Sequence, residues 1–170
     1  MKKYLFTTKR LGFRNWEEED IPKMIAISAN KDVMRYFPAV ATPQQTTDFI
    51  HRMQVHYAAH GYCYFAVELL ETQSFIGFIG MMQQNYESAF TPCIDIGWRL
   101  AVEYQAKGYA TEGAQACLHY GFTKLALKEV VATAPLANKA SIRVMEKIGM
   151  RKKLNFIHPK LKGLKELEHC

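Results

Sequence analysis

The 170-residue sequence has no long apolar segment and no low-complexity tract. No stretch reaches the roughly 18–20 consecutive apolar residues that a membrane-spanning helix requires. The apolar run near the start ends at the polar residues 7–10, which is too early for a signal peptide. The sequence therefore predicts a cytoplasmic protein without a membrane partner.

The sequence is also poor in cysteine, and its few cysteines are widely spaced. Cys63, Cys93, Cys117 and Cys170 form no CxxC pair. Such spacing is typical neither of a zinc site nor of a disulfide framework. We expect free thiols, as in a reducing compartment, and no bound metal.

Two common phosphate-binding motifs are absent, as is any internal linker. The sequence contains neither GxxxxGK[ST] nor GxGxxG, which excludes a Walker-type loop and a dinucleotide fingerprint. No Gly/Ser/Pro-rich stretch divides the chain, and its length is that of one ordinary domain. We expect residues 1–170 to form one domain, as a monomer or a homodimer.

Positive charge is concentrated in the last third of the chain. The formal net charge is +6, yet residues 138–165 alone carry nine Lys or Arg against one acid, Glu146. Such a segment suits an anionic ligand or an acidic partner, and it equally suits a solvated face. It lacks the interleaved aromatic residues of a nucleic-acid platform, so nucleic acid is expected only as part of a ribonucleoprotein.

Hydrophobic periodicity predicts antiparallel strands first and strand–helix units afterwards. This order is typical of a mixed α/β fold of the α+β type, with one twisted sheet of six to seven strands flanked by about four helices. The predicted strands are 11–15, 62–70, 74–83, 93–100, 129–134 and 150–156, and the predicted helices are 17–30, 43–60, 111–125 and 139–148.

The turn at residues 105–112 lies between a predicted strand and a predicted helix. Unpaired N–H groups and the positive dipole end make a helix N-terminus suitable for a diphosphate. Gly108 lets the backbone approach such a ligand without a Cβ in the way. Alone, this pattern is equally compatible with an ordinary turn that begins a helix.

Four segments in one order resemble the GNAT superfamily of N-acetyltransferases. The turn matches its acetyl-CoA signature Q/R-x-x-G-x-G/A, and its surroundings are most similar to the branch that acetylates the N-termini of ribosomal proteins. The matching segments are Thr8 to Arg14, Asp95-Ile-Gly-Trp98, Gln105-x-x-Gly108-x-Ala110, and Asn138-x-x-Ser141 followed by Lys147-Ile-Gly149-Met150.

The resemblance implies acetyl-CoA as co-substrate and a cofactor site running along one strand. Residues 96–100 would separate from the strand 129–134 and pair with the pantetheine arm. The amides of residues 105–111 would hold the pyrophosphate. The implied cofactor-binding residues are Ile96, Trp98, Arg99, Leu100, Gln105, Ala106, Lys107, Gly108, Tyr109, Ala110, Thr111, Asn138 and Ser141.

The same resemblance assigns the catalytic roles. An α-amine with a pKa of about 7.7–8.0 is mostly protonated at neutral pH, so transfer needs a base. Asp95 aligns with the family's acidic strand position and would act directly, through water, or only by orienting the backbone. An N–H near Trp98 would serve as oxyanion donor, and Ser141 would help protonate the leaving thiolate.

The acceptor is the least determined part of the function. The resemblance implies the N-terminal α-amine of a protein or peptide, entering past Tyr36, Phe37 and the loop 160–165. A small-molecule amine, such as a polyamine or an aminoglycoside, remains the enzymatic alternative. A non-catalytic acetyl-CoA-binding module is the alternative of another class.

Overall fold

The computed structural model describes residues 4–170 and shows one antiparallel sheet with helices on both faces. Residues 1–3, where the short apolar start begins, lie outside the described part. The strands are β1 (Phe6–Thr7), β2 (Leu11–Arg14), β3 (Tyr64–Leu69), β4 (Phe75–Gln84) and β5 (Cys93–Leu100); the helices are α1 (Asp20–Ala29), α2 (Pro43–His60), α3 (Tyr109–Thr123) and α4 (Lys139–Lys147), with 3-10 turns at Val102–Tyr104 and Pro159–Leu161.

Strand order follows the chain, β1-β2-β3-β4-β5, with every neighbouring pair antiparallel. Side chains alternate between faces along each strand. Phe78 contacts Phe49 of α2, with ring centroids 5.2 Å apart. Its neighbour Ile79 packs against Gly113 of α3. Thus α1 and α2 cover one face of the sheet, and α3 covers the other.

Local sequence signals account for the bounds of α2. Thr42 caps the helix, with its side chain accepting from the Gln45 N–H and the Gln45 side chain accepting in return. Pro43 follows at the first helical position, and Gly61 ends the helix with φ 77°. The predicted start after Thr42 and end at Gly61 are both confirmed.

The core on the α1–α2 face contains a buried ion cluster. The Arg14 guanidinium donates two hydrogen bonds to Asp20, at 2.6 and 2.8 Å. Its Nε donates to Glu68 Oε1 at 2.9 Å. Arg14, Asp20 and Glu68 are each at most 2% exposed. Since both carboxylates are hydrogen-bonded to the one guanidinium, the cluster fixes α1 against β2 and β3 beside the site described below.

The predicted six to seven strands are wrong, because the sheet has five. Residues 129–134 contribute only an isolated parallel bridge, between Val131 and Asp95. Residues 150–156 form no strand; three of these seven residues are the exposed cations Arg151, Lys152 and Lys153. The four predicted helices are present. Between residues 4 and 170, no helix combines the length and apolarity needed to cross a bilayer.

Candidate active site

A cleft of about 840 Å³ opens between the C-terminal half of β5, the start of α3 and the start of α4. It brings together residues from distant parts of the sequence, including Tyr36 and Phe37. Lys107 is the one predicted site residue that does not line it. Lining it are Asp95, Ile96, Trp98, Arg99, Leu100, Gln105, Ala106, Gly108, Tyr109, Ala110, Thr111, Asn138 and Ser141.

The outer edge of β5 is paired at its start and open further along. The Ile96 N–H donates to the Val131 carbonyl at 2.9 Å. The chain then diverges, and Thr133 to Pro135 form the opposite wall of the cleft. Because backbone groups alternate in direction along a strand, the Trp98 N–H faces the same edge as that of Ile96. Within residues 4–170 it has no acceptor on that side.

The turn before α3 presents a run of free amides. The Glu112 N–H donates to the Gly108 carbonyl, whereas the N–H groups of residues 106–111 donate to no group in the described part of the chain. Ala106 and Gly108 both have positive φ, 56° and 80°. Such a conformation makes successive N–H groups converge into an anion-binding concavity. The turn therefore has the donors that a diphosphate requires.

An ion pair holds this turn in place. Arg10 Nε donates to Glu112 Oε2 at 2.6 Å, and Arg10 Nη1 donates to the Lys107 carbonyl at 3.1 Å. Burial of the Glu112 carboxyl acts to raise its pKa, but hydrogen bonds from Thr8 and Arg10 outweigh burial and lower the pKa. The side-chain amide of Gln105 donates to the Leu100 carbonyl at 2.9 Å. These contacts set the turn against the sheet, so the free amides are preorganised.

Asn138 and Ser141 lie together at the start of α4. Asn138 Oδ1 caps the helix by accepting from the Ser141 N–H at 3.1 Å. Because the side-chain oxygen of Asn138 accepts this hydrogen bond, its NH₂ group is available to donate to a ligand. The Ser141 side chain lines the cleft and is half-buried.

Asp95 is held by a hydrogen-bonded chain that the sequence did not indicate. The Tyr64 hydroxyl donates to Asp95 Oδ1 at 2.6 Å, and Gln84 Nε2 donates to the Tyr64 oxygen at 3.0 Å. Burial and the nearby Asp95 charge raise the pKa of Tyr64 well above 10, so its proton stays in place. One carboxylate oxygen is thereby fixed in position.

Two glycines allow Tyr64 to reach Asp95 across β4. In the sheet, Gly80 lies opposite both Tyr64 and Gly97. A Cβ at position 80 would collide with the backbone of β3, and one at position 97 would lie 3.2 Å from the Tyr64 ring. Glycine within a strand often marks such a close approach. These two glycines, which the sequence analysis did not use, are the signal that could have indicated Tyr64.

The electrostatics of Asp95 suit proton exchange near neutral pH. Burial raises its pKa from 3.8 to about 6, against the lowering effect of hydrogen bonds from Tyr64 and Gln84 and of the charge on Lys160. At pH 7 the group is therefore mostly ionised and still basic enough to accept a proton. Perturbed titration in a cleft is typical of a functional site.

The Arg99 side chain lies on the same face of β5 as Asp95, under α1 and α2. Its Nη1 donates to Ser28 Oγ at 3.2 Å, and its guanidinium carbon lies 4.5 Å from the Phe37 ring centroid. Sequence analysis placed Arg99 in the cofactor site through its strand; that role stays a prediction, and its side chain lines the cleft on the face covered by α1 and α2. Across the described residues, no group of three His, Cys, Asp or Glu could hold a metal ion.

Comparisons with known proteins agree with this architecture. The family model of the acetyltransferase (GNAT) domain matches residues 10–151. The uncharacterized N-acetyltransferase YnaD of Bacillus subtilis is 36% identical over 147 residues, covering 86% of this chain and 82% of that protein. A GNAT-family acetyltransferase structure from Bacillus anthracis has a TM-score of 0.77 at 33% identity and covers 92% of this chain and 89% of that chain.

A more distant solved structure contains CoA. Spermidine N-acetyltransferase from Vibrio cholerae, in complex with CoA and spermine, has a TM-score of 0.71 at 19% identity and covers 88% of this chain and 86% of its own. At that identity the likeness shows the fold alone. The family match and the closer relatives go further: this chain belongs to the GNAT family and is an acetyl-CoA-dependent N-acetyltransferase.

Proposed function

We propose that this enzyme acetylates the N-terminal α-amine of a protein or peptide in the cytoplasm, like the ribosomal-protein branch that its motifs resemble. In this proposal residues 1–170 act as one domain, as a monomer or a homodimer. The observation that carries the proposal is Asp95, a carboxylate with a pKa of about 6 in a cleft beside an open strand edge. A pKa in this range matches the deprotonation of an α-amine better than that of a lysine.

The residues present fit acetyl-CoA. The free amides of residues 106–111 would hold its pyrophosphate, and the open edge at Trp98 would hold its pantetheine arm. The Asn138 amide would add a contact from the opposite wall. Bound there, acetyl-CoA supplies an acetyl group activated as a thioester.

The proton path uses residues of this chain. Asp95 accepts a proton from the acceptor ammonium, which leaves the neutral, nucleophilic amine. Tyr64 keeps its own proton and holds Asp95 by its hydrogen bond at 2.6 Å. The Trp98 N–H would stabilise the developing oxyanion, and the Ser141 hydroxyl would give a proton to the leaving thiolate.

The charges around the cleft favour a peptide over a polyamine. A cationic polyamine is repelled by positive side chains, whereas a peptide carries a single amine and need not carry further positive charge. Two acids, Asp32 and Asp95, line the cleft. They are outnumbered by five cations: Arg35, Arg99, Arg143, Lys147 and Lys160.

A competition assay tests this proposal. Short peptides with free N-termini, spermidine and an aminoglycoside would be offered together with acetyl-CoA at neutral pH, at low and high salt, and the products quantified by mass spectrometry. We expect the peptides to be acetylated first. A peptide with a blocked N-terminus and an internal lysine is the control and should not react. Preference for spermidine or the aminoglycoside would refute the acceptor assignment and leave the acetyl transfer intact.

A further inference from the structure

Arg99 is a cation with an incomplete set of partners. Of its five N–H donors, Nη1 bonds Ser28, and Nε is buried without a hydrogen-bond partner. No carboxylate of residues 4–170 lies within ion-pair distance of its guanidinium. Burial lowers the pKa of Arg99 to about 10, so it remains charged at neutral pH.

The surroundings of Arg99 form an aromatic pocket inside the cleft. The guanidinium lies 4.5 Å from the Phe37 ring centroid and 5.4 Å from that of Phe78. Phe78 in turn stacks on Tyr64, with centroids 5.1 Å apart. A charge held among rings, with little water, costs free energy unless a counter-charge joins it. An anion that entered the pocket would meet a preoriented fork of donors.

The pocket lies at a defined distance from the base. Asp95, Gly97 and Arg99 project from one face of β5, and the Tyr64 ring lies over Gly97 between them. Four strand residues correspond to roughly 13 Å between the Cα atoms of Asp95 and Arg99. Both residues line the cleft. A hydrogen bond from the acceptor amine to Asp95 and one from Arg99 to a carboxylate would each take up about 3 Å of this span, so about 7 Å, or roughly two residues of an extended peptide at about 3.3–3.6 Å each, would separate the two groups of the acceptor.

We propose that Arg99 selects acceptors that carry a carboxylate on the second or third residue from the reacting α-amine. The inference rests on the proposed function and narrows it: the substrate is an N-terminus with an early acidic residue. The carboxylate would accept hydrogen bonds from the terminal guanidinium nitrogens, from Nη2 and from the Nη1 hydrogen that does not bond Ser28, while the amine lies at Asp95. A free amino acid, whose two charged groups are adjacent, is too short to reach both residues.

The test uses matched acceptors. Tripeptide amides that begin with serine would carry glutamate or glutamine at the second position, and a second pair would carry them at the third. Free serine, whose amine and carboxylate are on the same carbon, completes the set and should be no better an acceptor than the neutral peptides. For the wild-type enzyme we expect a preference in kcat/KM of roughly 10- to 100-fold for the acidic member of at least one pair, expressed mainly in KM. Because Arg99 is partly buried, the preference should persist at high salt.

The Arg99→Gln variant separates selection from a structural role. Selection by Arg99 predicts that the acidic preference falls to about two-fold or less, because kcat/KM for the acidic peptides drops at least ten-fold more than kcat/KM for the glutamine peptides. Arg52→Gln, an exposed change on α2 away from the cleft, removes the same charge and should retain the preference. Equal losses for acidic and neutral peptides would mean that Arg99 only holds Phe37 and Ser28 in place. Such losses, or the absence of an acidic preference in the wild type, would overturn the inference. Acetylation of the neutral peptides would still support the proposed function.

Discussion

Replacing Asp95 with asparagine should make the protein more stable and less active at the same time. The folded protein holds the pKa of Asp95 at about 6, above the 3.8 of a free side chain. The protonated carboxyl is therefore the form that folding favours. This contribution to stability is complete below about pH 4 and is lost as the pH rises through about 6. A shift of two pKa units corresponds to about 2–3 kcal/mol, and ionisation of Asp95 lowers the free energy of unfolding by this amount at pH 8.

Asparagine resembles the protonated acid and can still accept the Tyr64 hydrogen bond. The free energy of unfolding of Asp95→Asn, from urea titrations followed by tryptophan fluorescence, should match that of the wild type near pH 3.5. It should exceed the wild-type value by about 2–3 kcal/mol at pH 8. Turnover should fall roughly 10²–10⁴-fold, with partial recovery at high pH, where more of the amine is already neutral.

An exposed aspartate provides the matched control. Asp48 lies on the surface of α2 and accepts a hydrogen bond from Gln44. Asp48→Asn should change stability by less than about 0.5 kcal/mol at any pH and leave turnover unaltered. A stability difference for Asp95→Asn that does not grow with pH would refute the electrostatic reasoning. Near-normal turnover at neutral pH would remove Asp95 from the proton path.

Two further substitutions probe the support of the base and the proposed cofactor turn. Tyr64→Phe removes a hydrogen bond to Asp95 worth about 1.5–3 kcal/mol. The midpoint of the acidic limb of the kcat/KM profile should therefore move up by about one to two pH units. The control Tyr120→Phe loses a hydrogen bond to a backbone carbonyl and should leave that midpoint in place. Gly108→Val forces a branched side chain into a backbone with φ 80° and should raise the Kd of CoA, measured by calorimetry, at least ten-fold. The control Gly149→Val changes a residue at φ 88° outside the cleft and should leave the Kd of CoA unchanged. An unmoved acidic limb, or equal CoA affinities, would contradict these assignments.

Elements with signals inside their own sequence were predicted well. The cap at Thr42, the proline after it and Gly61 determine α2 locally, and β5 has the predicted bounds, Cys93–Leu100. The segment 129–134 was predicted from its β-forming residues alone. A strand also needs a partner over several residues, and this one meets β5 only at Val131 before diverging.

The site was only partly predictable for a related reason. Gln105, Gly108 and Ala110 form a contiguous motif, so the sequence could place them, although their role as ligands stays a prediction. Tyr64 lies 31 positions from Asp95 and joins it only through the register of three strands. Such a contact depends on tertiary pairing, which no single segment encodes.

The open edge of β5 also bears on how the protein avoids unwanted association. An exposed strand edge is a template for pairing with another chain, and proteins protect such edges by keeping them short. Here the Ile96 N–H donates to the Val131 carbonyl, and the Gln105 side chain donates to the Leu100 carbonyl. The stretch left between them, around Trp98, is long enough for one extended amide of a ligand and too short to hold a foreign strand in register. The geometry that would admit a pantetheine arm thus also discourages aggregation through this edge.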